Sequence, residues 1–235
     1  MLDSFKAVFF DAGGTLLHPY PSVGEIYQRT AVRYGCLIQA PEIEARFRRI
    51  WVERDGLSTM TQHASEKNER LWWRGLVLEV FEAAEGGIRD FEAFFTELYD
   101  LFARAECWRL YPGTLDVLKE LKRQKKLLGV ISNWDSRLLK ICAELGLDQY
   151  FDFILASAVF GASKPDEKIF REALARSGAA PHEAVHIGDS VADDIHGARR
   201  AGLHAVLIER HPGRQHAMEG VPVIHDLKEL LGVRS

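Results

Sequence analysis

Apolar residues fall along this chain in two textures. Short unbroken runs of β-forming residues occur at Ala7–Phe10, Leu127–Ile131, Phe153–Leu155, Ala184–Ile187 and Ala205–Ile208. Between them lie segments with apolar positions at helical spacing. These are Thr114–Lys125 (Leu115, Leu118, Leu121), Ser136–Leu145, Glu167–Arg176 (Ile169, Phe170, Ala173, Leu174) and Val191–Ala201 (Val191, Ile195, Ala198). Strands without polar alternation need cover on both faces, and helices between them supply it. The pattern predicts an α/β fold, a Rossmann-like doubly wound parallel sheet.

The second texture runs from about Ile26 to Phe102, where no convincing strand occurs and Glu, Arg, Leu and aromatics dominate. Phe91, Phe94, Phe95, Leu98 and Leu101–Phe102 mark one helical stripe. Gly35–Cys36, Asp55-Gly56 and Gly86-Gly87 divide the region into about four helices. This helical unit is inserted after the first strand, and the chain returns to the sheet near Tyr111-Pro112-Gly113. The expected division is residues 1–17 and 109–235 for the sheet core and 18–108 for an all-helical cap.

Composition narrows the function classes. Thirty Lys and Arg against 34 Asp and Glu give a net charge of −4. That balance argues against a general electrostatic hold on nucleic acid or anionic membranes. The basic run Lys122–Lys126 reads as a solvated helix end that complements the helix dipole. Cys36, Cys107 and Cys142 are too few and too far apart for a disulfide framework or a zinc knuckle, and reduced thiols in a cytoplasmic protein are expected. The first apolar run stops at Asp11 and is shorter than the roughly 7–15 residues of a secretory signal. No segment approaches the roughly 20 apolar residues that span a bilayer. A cytoplasmic protein with no membrane and no nucleic-acid partner is the expectation; its oligomeric state is left open.

Ligands of open α/β sheets bind beyond the carboxyl ends of the strands. Four strand ends deliver polar residues there: Asp11-Ala-Gly-Gly-Thr15, Ser132-Asn133-Trp134-Asp135, Lys164-Pro-Asp166, and Gly188-Asp189 followed by Asp193-Asp194. Each piece has an ordinary explanation by itself. Asp11 suits a turn, Asp135 an N-cap, Lys164 an exposed loop, and the acids after Gly188 the start of a helix. Carboxylates, a hydroxyl and a lysine gathered on one rim imply a divalent cation and an anionic substrate sharing a site.

In this order the four segments resemble the signature motifs of the haloacid dehalogenase superfamily of hydrolases, with Pro112-Gly113-Thr114-Leu115 similar to the family's re-entry helix. An insertion between the first two motifs is where that family carries its helical type-1 cap. Leu-His18-Pro, Gly24-Glu-Ile-Tyr27 and Ile-Ser-Asn-Trp-Asp135 look like the branch of the rhythmically expressed gene 2 protein. The resemblance implies a Mg²⁺-dependent phosphatase acting on a small phosphorylated metabolite through an aspartyl-phosphate. Asp11 would be the nucleophile, Ser132 would bind a phosphoryl oxygen, and Lys164 would bind the same group and lower the pKa of Asp11. Backbone from Ala12 through Gly13 and Gly14 to Thr15, with Asn133 and Trp134, would line the substrate. The metal would take Asp11, the carbonyl of Gly13, Asp189 and either Asp194 or Asp193, an oxygen set suited to magnesium.

One position departs from the pattern. Family phosphatases usually carry a second aspartate two residues after the nucleophile, as acid and base, and here that residue is Gly13. Three alternatives follow: a substrate with a good leaving group, a substitute such as His18, or a catalytically weak binding protein that keeps the fold. Haloacid dehalogenation fits poorly beside Asp189, and phosphonate hydrolysis would need a cap lysine, for which Lys67 is the candidate. Trp72 and Trp73 read as cap core, with one ring facing the substrate as the alternative. His182, His186, His196, His204, His211, His216 and His225 do not read as a second metal site.

Overall fold

The computed structural model describes residues 2–57, 64–82, 87–210 and 218–232. The strands are β1 (Ala7–Phe10), β4 (Leu127–Ser132), β5 (Phe153–Ala156), β6 (Ala184–Gly188), β7 (His204–Ile208) and the short β8 (Val223–Ile224). They form one parallel sheet in the order β5-β4-β1-β6-β7-β8. From β1 the chain winds outward to β4 and β5, then crosses to β6 and winds the other way. The direction reverses beside β1, which opens a crevice at the carboxyl end of that strand.

Alternation explains why the strands are apolar throughout. Val8 and Phe10 of β1 join one buried cluster with Val117, Leu118 and Leu121 of α5 (Thr114–Arg123) and Leu138 and Ile141 of α6 (Arg137–Glu144). Ala7 and Phe9 face the other way, onto Ile169, Phe170 and Ala173 of α8 (Glu167–Ser177) and Ala198 of α9 (Gly197–Arg200). The expected doubly wound α/β architecture is the one observed, with strand limits moved by at most one residue and the short β8, which the apolar pattern did not mark, added at one edge.

Between β1 and the rest of the sheet lie α1 (Val23–Arg33), α2 (Ala40–Glu53), α3 (Glu66–Glu82) and α4 (Phe91–Leu101). They enclose a separate cluster that includes Ile26, Ile43, Leu76, Phe94 and Leu98. Gly35 and Gly56 adopt left-handed φ values of 85° and 54° at the ends of α1 and α2; Gly86 of the expected third break lies outside the described residues. Of the stripe on α4, Phe94, Phe95 and Leu98 are buried.

Three local features differ from the sequence expectation. Leu17–Pro19 (β2) and Trp108–Leu110 (β3) pair antiparallel, Leu17 opposite Leu110 and His18 opposite Arg109, making a two-stranded neck between helices and sheet. The expected boundaries at 17/18 and 108/109 fall on this ribbon. The helix expected over Val191–Ala201 opens as a π-helical turn at Val191–His196 before continuing as α9. The Lys122–Lys126 run is not merely solvated: Lys122 pairs with Asp152 at 3.0 Å, and Lys126 Nζ donates to the carbonyls of Leu2, Asp3 and Phe5. Among the described residues no helix is long and apolar enough to cross a membrane.

Candidate active site

Asp11 follows β1 directly, and its backbone N–H donates to the carbonyl of Ile187 at 2.9 Å, tying the first turn to β6. The turn folds on itself: Leu16 and Leu17 donate to the carbonyl of Ala12, and Gly14 donates to that of Leu17. Gly14 has φ +78°, and a Cβ there would lie 2.3 Å from Asp189 Oδ2. Glycine is therefore required twice, for the backbone conformation and for the close approach of Asp189.

The four strand ends converge. Ser132 Oγ donates to Asp11 Oδ1 at 2.9 Å, and Lys164 Nζ donates to the same oxygen at 2.6 Å. Lys164 Nζ also donates to Asp194 Oδ1 at 2.5 Å. Asn133 clamps the lysine backbone: its Oδ1 accepts from Lys164 N at 2.7 Å and its Nδ2 donates to Lys164 O at 2.9 Å. The π-helical turn presents Asp194 inward, where its Oδ2 accepts from Ser190 N at 3.0 Å. Gly188 leaves room for that carboxylate, since a Cβ at 188 would stand 2.1 Å from Asp194 Cγ.

Burial and charge set the protonation preferences. Burial pushes the Asp11 carboxyl up and the Asp194 charge adds to this, so the lowering by Lys164 does not prevail. The expectation that Lys164 holds Asp11 below its usual range is corrected accordingly: the ammonium is shared between two carboxylates. For Asp194 burial also acts upward, but Lys164 and His186 outweigh it and hold the carboxyl low. Burial works against the ammonium of Lys164, yet Asp11 and Asp194 raise it above the ordinary lysine value, so it stays charged. Asp189 opens onto the cleft through its exposed surface. The protein packed around it raises its carboxyl well above the usual range, and Asp11 and Asp194 raise it further.

Asp11, Asp189 and Asp194 offer carboxylate oxygens that all lie within 4.8 Å of one another. Carboxylate oxygens at this spacing, with Asp11 pushed up by the charge of Asp194 and Asp189 by those of Asp11 and Asp194, fit a hard divalent cation. Asp193 lines the cleft and its N–H donates to Ser190 Oγ at 3.1 Å, but it is outside that group of three.

A cleft of about 1100 Å³ opens from this rim toward the helices. Asp11, Gly13, Gly14, Ser132, Asn133, Trp134, Lys164 and Asp189 line its floor. Ala12 and Thr15 are buried and stand outside the lining. His18 also stands apart: on the ribbon its ring packs against Tyr111 at 4.7 Å and Nδ1 contacts the Pro19 carbonyl. Strand alternation directs Leu17 into the core and His18 away from it. Lys67 is exposed, and His211 and His216 lie outside the described residues.

The structure adds residues that the motifs do not include. His186 is fully buried in β6, and burial depresses its pKa. The neutral imidazole meets Asp194 Oδ1 through Nε2 at 2.8 Å. One histidine inside Ala184-Val-His-Ile-Gly188 was the available signal. Asp135, expected as an N-cap, accepts from Arg137 N at 3.0 Å and from its Nε at 2.8 Å, and also takes the Tyr99 hydroxyl from α4. Arg137 lies 3.6 Å over the Tyr99 ring, so this network joins helical unit to sheet.

Known proteins resemble this chain in sequence and fold. The profile of the haloacid dehalogenase-like hydrolases matches residues 5–202. Haloacid dehalogenase-like hydrolase domain-containing protein 3 of Xenopus laevis is 32% identical over 212 residues, covering 89% of this chain and 85% of that protein. The rhythmically expressed gene 2 protein of Drosophila melanogaster, whose branch the His18 and Trp134 segments resemble, is 32% identical over 218 residues, 88% of this chain and 84% of its own. The HAD phosphatase structure from Thermococcus onnurineus superposes with a TM-score of 0.68 at 27% identity, over 97% of this chain and 98% of that one. By the matched profile and these relatives, the chain belongs to the haloacid dehalogenase-like hydrolase family.

Proposed function

We propose that this hydrolase is a phosphatase acting on a small phosphorylated molecule, with Asp11 as nucleophile and residues 18–108 as a cap over the site. The observation that carries the reading is the meeting of Lys164 Nζ with Asp11 Oδ1 at 2.6 Å and Asp194 Oδ1 at 2.5 Å, beside Ser132. An ammonium and a hydroxyl on one carboxylate are the donors a phosphoryl group needs as it approaches that carboxylate. The similarity to a HAD phosphatase supports the same class of reaction.

Asp11 Oδ attacks phosphorus in line with the ester oxygen, and the ester bond breaks to leave an aspartyl-phosphate. Lys164 and Ser132 turn toward the transferred oxygens, and backbone N–H groups of the 12–14 turn are the remaining donors. Water then attacks the phosphorus and returns the free carboxylate. Asp11, Asp189, Asp194 and the Gly13 carbonyl would hold Mg²⁺, with Asp193 acting through water. Bound there, the ion would lessen repulsion between the nucleophile and an anionic substrate.

The test is turnover of 4-nitrophenyl phosphate with Mg²⁺ by wild type and by Asp11→Asn, with mass spectrometry of acid-quenched protein. The expected result is at least a 10³-fold loss in the variant and a phosphoryl adduct on Asp11 in the wild type. Equal turnover by the two proteins overturns the reading. Gly13 favours a second one, a phosphate-binding protein with little turnover, which predicts substrate binding by both proteins without an adduct.

A further inference from the structure

The turn that carries the nucleophile is built without a proton donor. Residues 12–14 are Ala-Gly-Gly, and Thr15 is fully buried. A Cβ on Gly13 would meet Trp134 Cζ3 at 3.3 Å, and among the described residues no other heavy atom outside its chain neighbours lies within 4 Å. The space that a side chain at position 13 would fill is thus bordered by indole carbon rather than by a titratable group. The side-chain donors on Asp11 are committed: Ser132 to Asp11, and Lys164 to Asp11 and Asp194.

Without an acid at position 13, the leaving oxygen departs as an anion. An alkoxide is about as poor a leaving group as hydroxide, whose parent water has a pKa of 15.7. A phenolate, like the tyrosine side chain, corresponds to a pKa of about 10. The site therefore selects esters of stabilised oxyanions.

The walls select the shape of the same group. Phe47, Trp51, Trp73, Tyr99, Trp108 and Trp134 line the cleft and are half-buried, leaving ring surface free. Trp51 stacks on Phe47 at 5.9 Å and on Trp73 at 5.7 Å, with planes 22° and 28° apart. Trp108 meets Trp134 at 4.8 Å, and Trp134 borders Gly13 of the nucleophile's turn. Flat apolar groups gain from such surfaces through offset and edge contacts.

Resting on the phosphatase reading above, we propose that the substrates are aryl phosphate monoesters, with the ring of the leaving group against the Trp108–Trp134 pair. Asp11 Oδ forms the bond to phosphorus as the phosphorus–aryl oxygen bond breaks. The electron pair leaves on the phenolate, which takes its proton from solvent. Water next attacks phosphorus, the bond to Asp11 breaks, one proton passes to solvent and inorganic phosphate departs. This second step also lacks a base at position 13, so phosphorylated Asp11 accumulates.

Quenched-flow and steady-state kinetics of the full chain with Mg²⁺ test this on phenyl and 4-nitrophenyl phosphate against glycerol 2-phosphate. The expected results are a burst of about one phenol per chain, one steady-state kcat for both aryl esters, and a kcat/KM for the alkyl ester lower by 10²–10⁴. Trp134→Leu should raise KM for the aryl esters about three- to tenfold and leave inhibition by inorganic phosphate unchanged. Alkyl and aryl esters within tenfold of each other, with Asp11→Asn inactive, overturn the inference and leave the phosphatase reading intact. Aryl KM and phosphate inhibition moving together in Trp134→Leu overturn the stacking contact. Full turnover by Asp11→Asn overturns the phosphatase reading itself.

Discussion

Lys164 is a buried ammonium, 2% exposed, held between the carboxylates of Asp11 and Asp194. Burying such a group is unfavourable unless its partners are well placed, and removing one member strands the others. Lys164→Met would leave two carboxylates facing each other without a cation, and the pair would have to take up a proton. The expected loss is about 3–5 kcal/mol in urea unfolding without metal; a loss below about 1 kcal/mol would mean the triad is not formed in solution. At this scale legibility followed position in the chain. Asp11, Ser132 and Asp189 end or follow apolar strands and Lys164 sits on the same rim, so their convergence could be read from order alone. The neighbours that hold them could not. His186 resembles any strand residue until its Nε2 is found 2.8 Å from Asp194, and Asn133 reads as a substrate contact until its amide is found on the Lys164 backbone.

Helix α3 places Glu69 against the sheet-side network of Asp135 and Arg137, with Trp73 Nε1 donating to it at 3.4 Å. Burial pushes this carboxyl up to about 8, Asp135 adding to the rise and Arg137 opposing it. An unfolded glutamate has a pKa near 4.3. Between these values the folded chain keeps a proton that the unfolded chain has released, so stability falls as pH rises. The contribution is fully present below about pH 4.3 and is lost as pH passes through 8, with a slope of at most about 1.4 kcal/mol per unit. Glu69→Gln removes this titration, so the variant should gain on the wild type steadily from pH 5 to 8 in urea unfolding. Parallel stability curves would show that Glu69 is ionised throughout. Nothing in the segment Ser65-Glu-Lys-Asn-Glu69 announces this burial, because charged residues usually line a solvated helix face. The ribbon of β2 and β3 was equally silent: each strand has three residues, and their pairing joins positions more than eighty apart in sequence. The π-helical turn at Val191–His196 shares its apolar spacing with an ordinary helix, so only backbone coordinates reveal it.

Across the whole molecule the legible part was the layering, since apolar strands between amphipathic helices have few ways to bury both faces. The coupling between the two halves was not legible, because it depends on side chains meeting across the neck: Tyr99 with Asp135, Glu66 Oε1 with Ser136 N at 2.8 Å, and Glu144 Oε2 with Ala105 N at 2.8 Å. These contacts are polar, and each half keeps its own apolar cluster, with Trp108 of the ribbon packing against both. The cysteines report on the two halves separately. Cys36 and Cys107 belong to the helical cluster and Cys142 to the sheet cluster beneath α6. All three are buried, and burial pushes the thiols of Cys107 and Cys142 up to about 11 and about 12. Alkylation at pH 8 therefore requires opening, which returns a thiol to about 8.5. Clusters joined only by a narrow ribbon, one shared tryptophan and polar contacts open as separate units, the smaller one at lower free energy. With iodoacetamide in increasing sub-denaturing urea, peptide mass spectrometry should show Cys36 and Cys107 labelled together, at lower urea than Cys142. One shared rate for all three thiols would instead mean that helices and sheet unfold as a single cooperative body, and the polar neck would then have to be as strong as the cores it connects.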